Sequence, residues 1–316
     1  MKNFAWVEPA GVQGAIEAGA QRGSLFKAGG VDVSDRLKEH LDEPKQLVNL
    51  RRLRELEFIE LNGRALRMGP LVTLATLAED PRVAEAAPAL AQAAGAAATP
   101  QIRNLATLGG NLAQRPRCWY FRREEFHCRR KGGDDCFALE GQNENHAVFD
   151  NDLCAIVHPS ATATALTALG ATLILKGSQG SRTVALDDFF VRPEKEITRE
   201  NLLRPGELIV EIRVPAAPPN AYVKLMEKQS FDWPLAEAAV ALGNDPRVVL
   251  GAAAPVPWRA RKAEALIKGR KIDAALAAQA AAAAVEGAKP LRHNEYKLAL
   301  LQVAVKRALL QAGGTA

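Results

Sequence analysis

Apolar and polar positions alternate along the chain in short runs of two periods, and the periods mark out three regions. In the first, residues 1 to about 60, "AGVQGAIEAGAQRG" carries its apolar positions at helical spacing, while "LFKAGG" and "QLVNLRRL" are apolar runs of strand length. This predicts a small α/β unit. The second region, 61–215, opens with "ALRMGPLVTLATLAED", a strand and turn leading into a helix that continues through "VAEAAPALAQAAGA". A helix at "TATALTALGA" and strands at "TLILKG" and "ELIVEIRVP" follow. The third region, 216–316, begins after the proline-rich linker "PAAPPN". There "AYVKLMEKQ" and "RVVLGAAAPVP" read as strands, and "PLAEAAVAL" continues their sheet. Two amphipathic helices close the chain, one in "AEALIKG…AALAAQAAAAAVEGA" and one in "HNEYKLALLQVAVKRALLQ", whose basic residues near the end suit the helix dipole. No repeat of fixed period is visible.

Composition changes this picture little. Apolar residues make up 48% and charged residues 24% of 316, the mix of a soluble globular protein with more than one domain. The net charge of +5 comes with no tail of like charges, so no nucleic-acid partner is expected. No apolar run approaches the roughly 20 residues of a membrane span. The start, "MKNFAWVEPA", lacks the features of a secretory signal, so the chain by its own sequence is expected in the cytoplasm. Export to the periplasm with a signal-bearing partner stays open.

Two glycine pairs supply the first chemistry. "KAGGVD" and "TLGGNL" each place Gly-Gly directly after a short apolar run. Such pairs make tight turns, and they also present amide hydrogens as a nest for anions such as a diphosphate. Neither fits a Rossmann or P-loop pattern.

All four cysteines, Cys118, Cys128, Cys136 and Cys154, lie in one arginine- and aromatic-rich stretch. Disulfides, zinc and an iron–sulfur cluster are the three ways to organise it. Disulfides suit a cytoplasmic chain poorly. Gaps of nine, seven and seventeen residues lack the close pairs of structural zinc sites. A [4Fe–4S] cluster tolerates such spacing. Arg115, Arg117, Arg122, Arg123, Arg129, Arg130 and Lys131 are expected to offset its charge, with Trp119, Tyr120, Phe121, Phe126 and Phe137 as an apolar shell. His127, His146 and His158 read as loop residues, Asp134 and Asp135 as a solvated turn. Ser160 has no histidine–acid arrangement near it, so no catalytic residue is expected on this chain.

"AGG-x-D" near the start and "IRN-x-A-T-L-G-G-N-L" about eighty residues on resemble the flavin subunits of the xanthine dehydrogenase, or molybdenum hydroxylase, family. "LRPGELIVEIRVP", "LGAAAPVPWRA" and "PLRHNEYKLALLQVAVKRAL" extend the resemblance over almost the whole chain. It implies an α+β fold: a vanillyl-alcohol-oxidase/PCMH-type FAD-binding unit of two α/β subdomains, then a C-terminal α+β domain of the CO-dehydrogenase flavoprotein type. Carried onto this sequence, it places Lys27, Ala28, Gly29, Gly30, Val31 and Asp32 on the FAD diphosphate through backbone amides. Thr107, Gly109, Gly110 and Asn111 would reach the diphosphate and ribityl side, with Ile102, Arg103 and Asn104 as the approach. Ile209 would pack on the flavin and Lys224 would lie near it. Where relatives carry an aspartate before the helix, this chain has Ala161, with Ser160, Thr162 or Asp152 at hand.

In relatives the glycine loop passes to that helix in about ten residues, so the cysteines lie on an insertion at about 114–157. "CWYFR…FHC-x-RKGGD-x-CFA…CAIVHPS" resembles the [4Fe–4S]-containing flavin subunits of bacterial periplasmic-type aldehyde oxidoreductases, which makes the four cysteines cluster ligands. The implied role is electron transfer. A large subunit with the molybdenum cofactor oxidises the aldehyde, a small [2Fe–2S] subunit passes electrons on, and FAD here hands them to an external acceptor. A 4-hydroxybenzoyl-CoA-reductase-like role, a stand-alone flavoprotein oxidase and a zinc-organised non-enzymatic interaction module are the alternatives.

Overall fold

The computed structural model describes residues 1–314, which form three sheets. In the first, β1 (Ala5–Val7), β2 (Ser24–Lys27) and β3 (Gln46–Asn49) run parallel in the order β1-β3-β2. Parallel neighbours need crossovers, and the helices Val12–Gly19 and Val31–Lys38 supply them. Ile16, Val48, Leu53 and Leu56 form the core beneath.

The second sheet is antiparallel, ordered β4-β5-β8-β6-β7, from β4 (Ile59–Asn62), β5 (Ala65–Met68), β6 (Thr172–Gly177), β7 (Gly180–Ala185) and β8 (Leu208–Val214). Leu173 and Leu175 alternate inward along β6, as a half-buried strand requires. Against this sheet pack helices Leu74–Glu79, Pro81–Ala86 and Pro88–Gly95, where the apolar period alone predicted one helix. The prolines explain the breaks. Each disfavours helical backbone at the preceding residue, and Asp80 and Ala87 are accordingly non-helical. Asp80 then caps the new helix by accepting from the Arg82 amide at 2.9 Å.

The third sheet, β9 (Asn220–Leu225), β10 (Ala236–Ala241), β11 (Arg247–Gly251) and β12 (Trp258–Arg259), is antiparallel in the order β12-β11-β10-β9. Strand β10 is buried on both faces. Ala236, Ala238 and Val240 meet the C-terminal helices, while Ala239 meets Ala93 and Ala165 on the other side. The first of the two helices expected after this sheet is also divided, into Arg261–Ile267 and Ala274–Ala284. Gly269 takes a left-handed conformation between them, and Asp273 caps the second by accepting from the Leu276 amide at 2.7 Å. The helix Tyr296–Ala312 ends the fold.

Between the second glycine loop and the helix Ala161–Ala168 runs the cysteine-bearing stretch, whose regular structure is confined to the turns Trp119–Arg122 and Arg129–Lys131. It is nonetheless anchored on three sides. Arg122 pairs with Asp32 at 2.6 Å, Arg192 pairs with Asp150 at 2.7 Å, and the His293 amide donates to Asn143 Oδ1 at 2.9 Å. No helix among the described residues is long and apolar enough to cross a membrane.

Candidate cofactor cleft and cysteine cavity

A cleft of about 920 Å³ opens where the three sheets meet, near the upper end of the range for small-molecule sites. The first glycine loop forms one wall. Gly30 has φ +88°, a left-handed turn that suits glycine and leads β2 directly into the helix Val31–Lys38. Gly29 is required for a different reason: a Cβ there would lie 1.9 Å from the Leu105 carbonyl oxygen. The first loop is thus seated against the approach to the second. Among the described residues, the amides of Gly29 to Val33 donate to no acceptor. A row of open N–H groups at a helix start fits a diphosphate.

The second loop differs. Its Leu108, Gly109 and Asn111 amides donate to Val72 O (2.9 Å), Pro70 O (2.8 Å) and Thr107 O (2.8 Å). The Gly110 amide donates to Thr107 Oγ1 at 3.2 Å. Thr107 is therefore a helix cap turned inward, and this loop's amides are already engaged. Its polar reach passes to Asn111, whose Oδ1 accepts from Ser160 Oγ (2.5 Å) and Thr162 Oγ1 (2.7 Å). That leaves its NH2 group without a partner among the described residues. Ser160 and Thr162 thus hold Asn111 beside Ala161, whereas Asp152 is an exposed surface residue paired with Lys289.

Ile102, Ile209 and Lys224 also line the cleft. Lys224 Nζ donates to Ala96 O (2.9 Å) and Asp232 O (2.7 Å), and burial lowers its pKa. Of the expected cofactor residues, Arg103 and Asn104 of the approach lie outside the lining, and so does Lys27. As the last residue of β2 it points toward its own sheet, 3.5 Å from Asn49 Oδ1 and over the Trp6 ring. Asp32 contributes more than an amide. Arg36, Arg117 and Arg122 surround its carboxylate, and the Arg115 amide donates to it at 3.1 Å. Burial opposes its charge, but the three guanidiniums outweigh that and hold its pKa below the usual range.

The four cysteines, separated in sequence, line a single small cavity with Tyr120, Phe121, Phe137, Ile156, Arg129 and Arg130. All four are free thiols. Burial pushes Cys118 up to about 12, and His146 Nε2 lies 3.2 Å from its sulfur. Cys136 and Cys154 are hydrogen-bonded to each other. That bond, with Arg130 beside it, holds the Cys154 thiol below its ordinary value and raises Cys136. No group of three or more His, Cys, Asp or Glu side chains among the described residues is drawn together as around a single metal ion. The arginines correct the expectation that all the nearby cations serve the thiols. Arg115 pairs with Glu200, and Arg117 and Arg122 with Asp32, leaving Arg129 and Arg130 at the cavity. Neighbouring carboxylates claim Arg115, Arg117 and Arg122, Lys131 donates to the Arg123 carbonyl, and Arg130 itself also pairs with Glu200 at 2.9 Å.

With this geometry in view, comparison with known proteins is decisive. Residues 2–217 match the family described as the FAD-binding domain in molybdopterin dehydrogenase. The chain belongs to that family. Residues 221–312 of this flavin subunit match the CO dehydrogenase flavoprotein C-terminal domain. The chain is 34% identical to the aldehyde oxidoreductase FAD-binding subunit PaoB of Escherichia coli (strain K12), over 95% of both chains. It is 31% identical to the carbon monoxide dehydrogenase medium chain of Hydrogenophaga pseudoflava, over 97% of this chain and 96% of that one. Among solved structures, quinoline 2-oxidoreductase from Pseudomonas putida 86 superposes with a TM-score of 0.77 at 27% identity, covering 100% of this chain and 99% of the other. The chain is thus a subunit of an oxidoreductase of the molybdenum hydroxylase family, with the α+β fold expected of it.

Several residues of this flavin subunit's cleft carry no sequence signal. Arg117, Trp233 and Glu237 reach it only through tertiary packing. Arg117 lies over the Trp233 ring at 5.5 Å, so the cysteine-bearing stretch touches the cleft rim.

Proposed function

We propose that this flavin subunit holds FAD in the cleft and a [4Fe–4S] cluster in the cysteine cavity. It serves as the electron-transfer chain of a heteromeric, molybdenum-containing aldehyde oxidoreductase. In this reading the aldehyde is oxidised on a large molybdenum-cofactor subunit, and electrons come through a small [2Fe–2S] subunit and leave to an external acceptor. One observation carries most of the weight: four cysteines set apart along one stretch face one cavity, beside a cleft with an open row of amides. The likeness to an aldehyde oxidoreductase FAD-binding subunit supports the substrate class.

The bound flavin supplies the step between electron donor and acceptor. The chain's residues supply its seat. Amides of Gly29 to Val33 and the dipole of the helix behind them hold the diphosphate. The Asn111 NH2 offers a donor beside Ala161, Lys224 brings a positive charge, and Ile209 and Ile102 exclude water. Around the cavity, Tyr120, Phe121 and Phe137 shield four thiolates while Arg130 offsets charge at Cys154.

Purified protein tests the reading directly. Flavin absorption in the blue over a broad brown shoulder, with iron and acid-labile sulfide released together on acidification, is the expected result. A colourless, zinc-loaded protein overturns it. The intact complex is expected to oxidise aldehydes with an artificial acceptor, and absence of aldehyde turnover removes the substrate class.

A further inference from the structure

Two buried glutamates stand in the cleft wall, and they are treated differently. Glu207 is paired by Arg182 at 2.7 Å. Glu237 is 2% exposed, and no arginine or lysine among the described residues donates to it. Its Oε1 accepts from Tyr222 OH at 2.7 Å, and its Oε2 lies 3.5 Å from Thr164 Oγ1. The fold reserves this space. Across the sheet from Glu237 stands Gly251, where a Cβ would lie 2.1 Å from Oε2. On its other side the register partner is Lys224.

We propose that Glu237 is the proton-holding group of the cleft, giving one proton to the bound flavin ring as electrons arrive and recovering one as they leave. The inference rests on the reading that seats the flavin beside Lys224. As two electrons come from an iron–sulfur donor, the Glu237 O–H bond breaks and one N–H bond forms on the ring. The carboxylate left behind keeps its hydrogen bond from Tyr222. When two electrons pass to the acceptor, the proton returns and the balance closes.

The surroundings disfavour charge on this carboxyl. Burial raises the Glu237 pKa, and Tyr222, Thr164, Lys224 and Lys297 counter it only in part. The groups facing it are Tyr222 and Lys224 on β9, Thr164 on the helix Ala161–Ala168, and Lys297 on the helix Tyr296–Ala312. Asp232 and Arg103 act one step further out, on Lys224. Lys297 is itself lowered to about 7 by burial. The two lysines stand where a transient carboxylate gains most from them, at the moment the proton has left.

The test uses the full chain loaded with FAD. Reduced-minus-oxidised infrared difference spectra are expected to show loss of a protonated carboxyl band that shifts when glutamate carboxyls carry carbon-13. E237Q is expected to lose that band, keep FAD, and take up about one more proton per flavin from solvent on photochemical reduction. A wild-type spectrum without a label-sensitive carboxyl change overturns the proposal, as does unaltered proton uptake in E237Q. Should E237Q lose FAD, the labelled wild-type spectrum alone decides. K224M separates the underlying seat from the inference. A flavin absorption spectrum unchanged in K224M removes the seat, and the proposal with it. A changed spectrum with no carboxyl band overturns the role of Glu237 alone.

Discussion

Gly29 and Asp32 show how much one position carries in this fold. With the Leu105 carbonyl 1.9 Å from where a Cβ would sit, Gly29→Val must force the two glycine loops apart. FAD affinity is expected to fall more than tenfold, measured by flavin fluorescence on ultrafiltration; unchanged FAD content removes this loop from the site. Asp32 poses the converse problem, a carboxylate that is stable only while paired. Arg122→Ala takes away its 2.6 Å partner and leaves Arg36, Arg117 and the Arg115 amide to hold the charge, at a cost of about 1.5–3 kcal/mol in urea unfolding. Cys128→Ser is expected to lose iron and to keep some flavin, held more loosely, since the cavity and the cleft have separate linings that meet through the arginines at Asp32. Full iron occupancy in that variant removes Cys128 as a ligand. Glycines and cysteines were legible in the sequence because their chemistry follows from residue type. Glu237 was not, because "LAEAAVAL" lacks alternation and gives no sign of which face its glutamate takes.

At the scale of elements, the apolar period located most helices and strands, and local chemistry then divided them. Proline cut one expected helix into three, and Gly269 with Asp273 cut another. The helix Val31–Lys38, with a buried face limited to Arg36 and Leu37, left too weak a stripe to read. The helix Tyr296–Ala312 hides Lys297, whose Nζ donates to the His146 carbonyl at 3.1 Å. Burial lowers this lysine from 10.5 to about 7, so between those values the unfolded chain binds the extra proton. Stability therefore rises with pH across that window, by at most about 1.4 kcal/mol per unit, and is least below the folded value. Lys297→Met should flatten this rise in urea unfolding measured between pH 6 and 10. The His146 carbonyl keeps a donor in that variant, since Asn294 Nδ2 also reaches it at 3.1 Å. A rise identical to wild type assigns the pH dependence to other groups.

For the whole molecule, the stretch that looks like an excursion in sequence is central in space. Its residues bond to the first sheet's helix through Arg122, to the middle region through Asp150 and Arg130, and to the C-terminal domain through Asn143 and Val148. Sequence reading placed the cysteines together and missed this placement, because the anchoring partners lie up to 150 residues away. Arg115, Arg117 and Arg122 stand at its root and converge on Asp32, next to the amides that face the cleft. Whatever disturbs the thiol pocket therefore pulls on the grip for the dinucleotide. On the proposed reading of the cysteines, maturation has a direction: a freshly made chain should bind flavin loosely until iron and sulfide are installed, and titrating FAD into the polypeptide before and after cluster reconstitution would reveal that order.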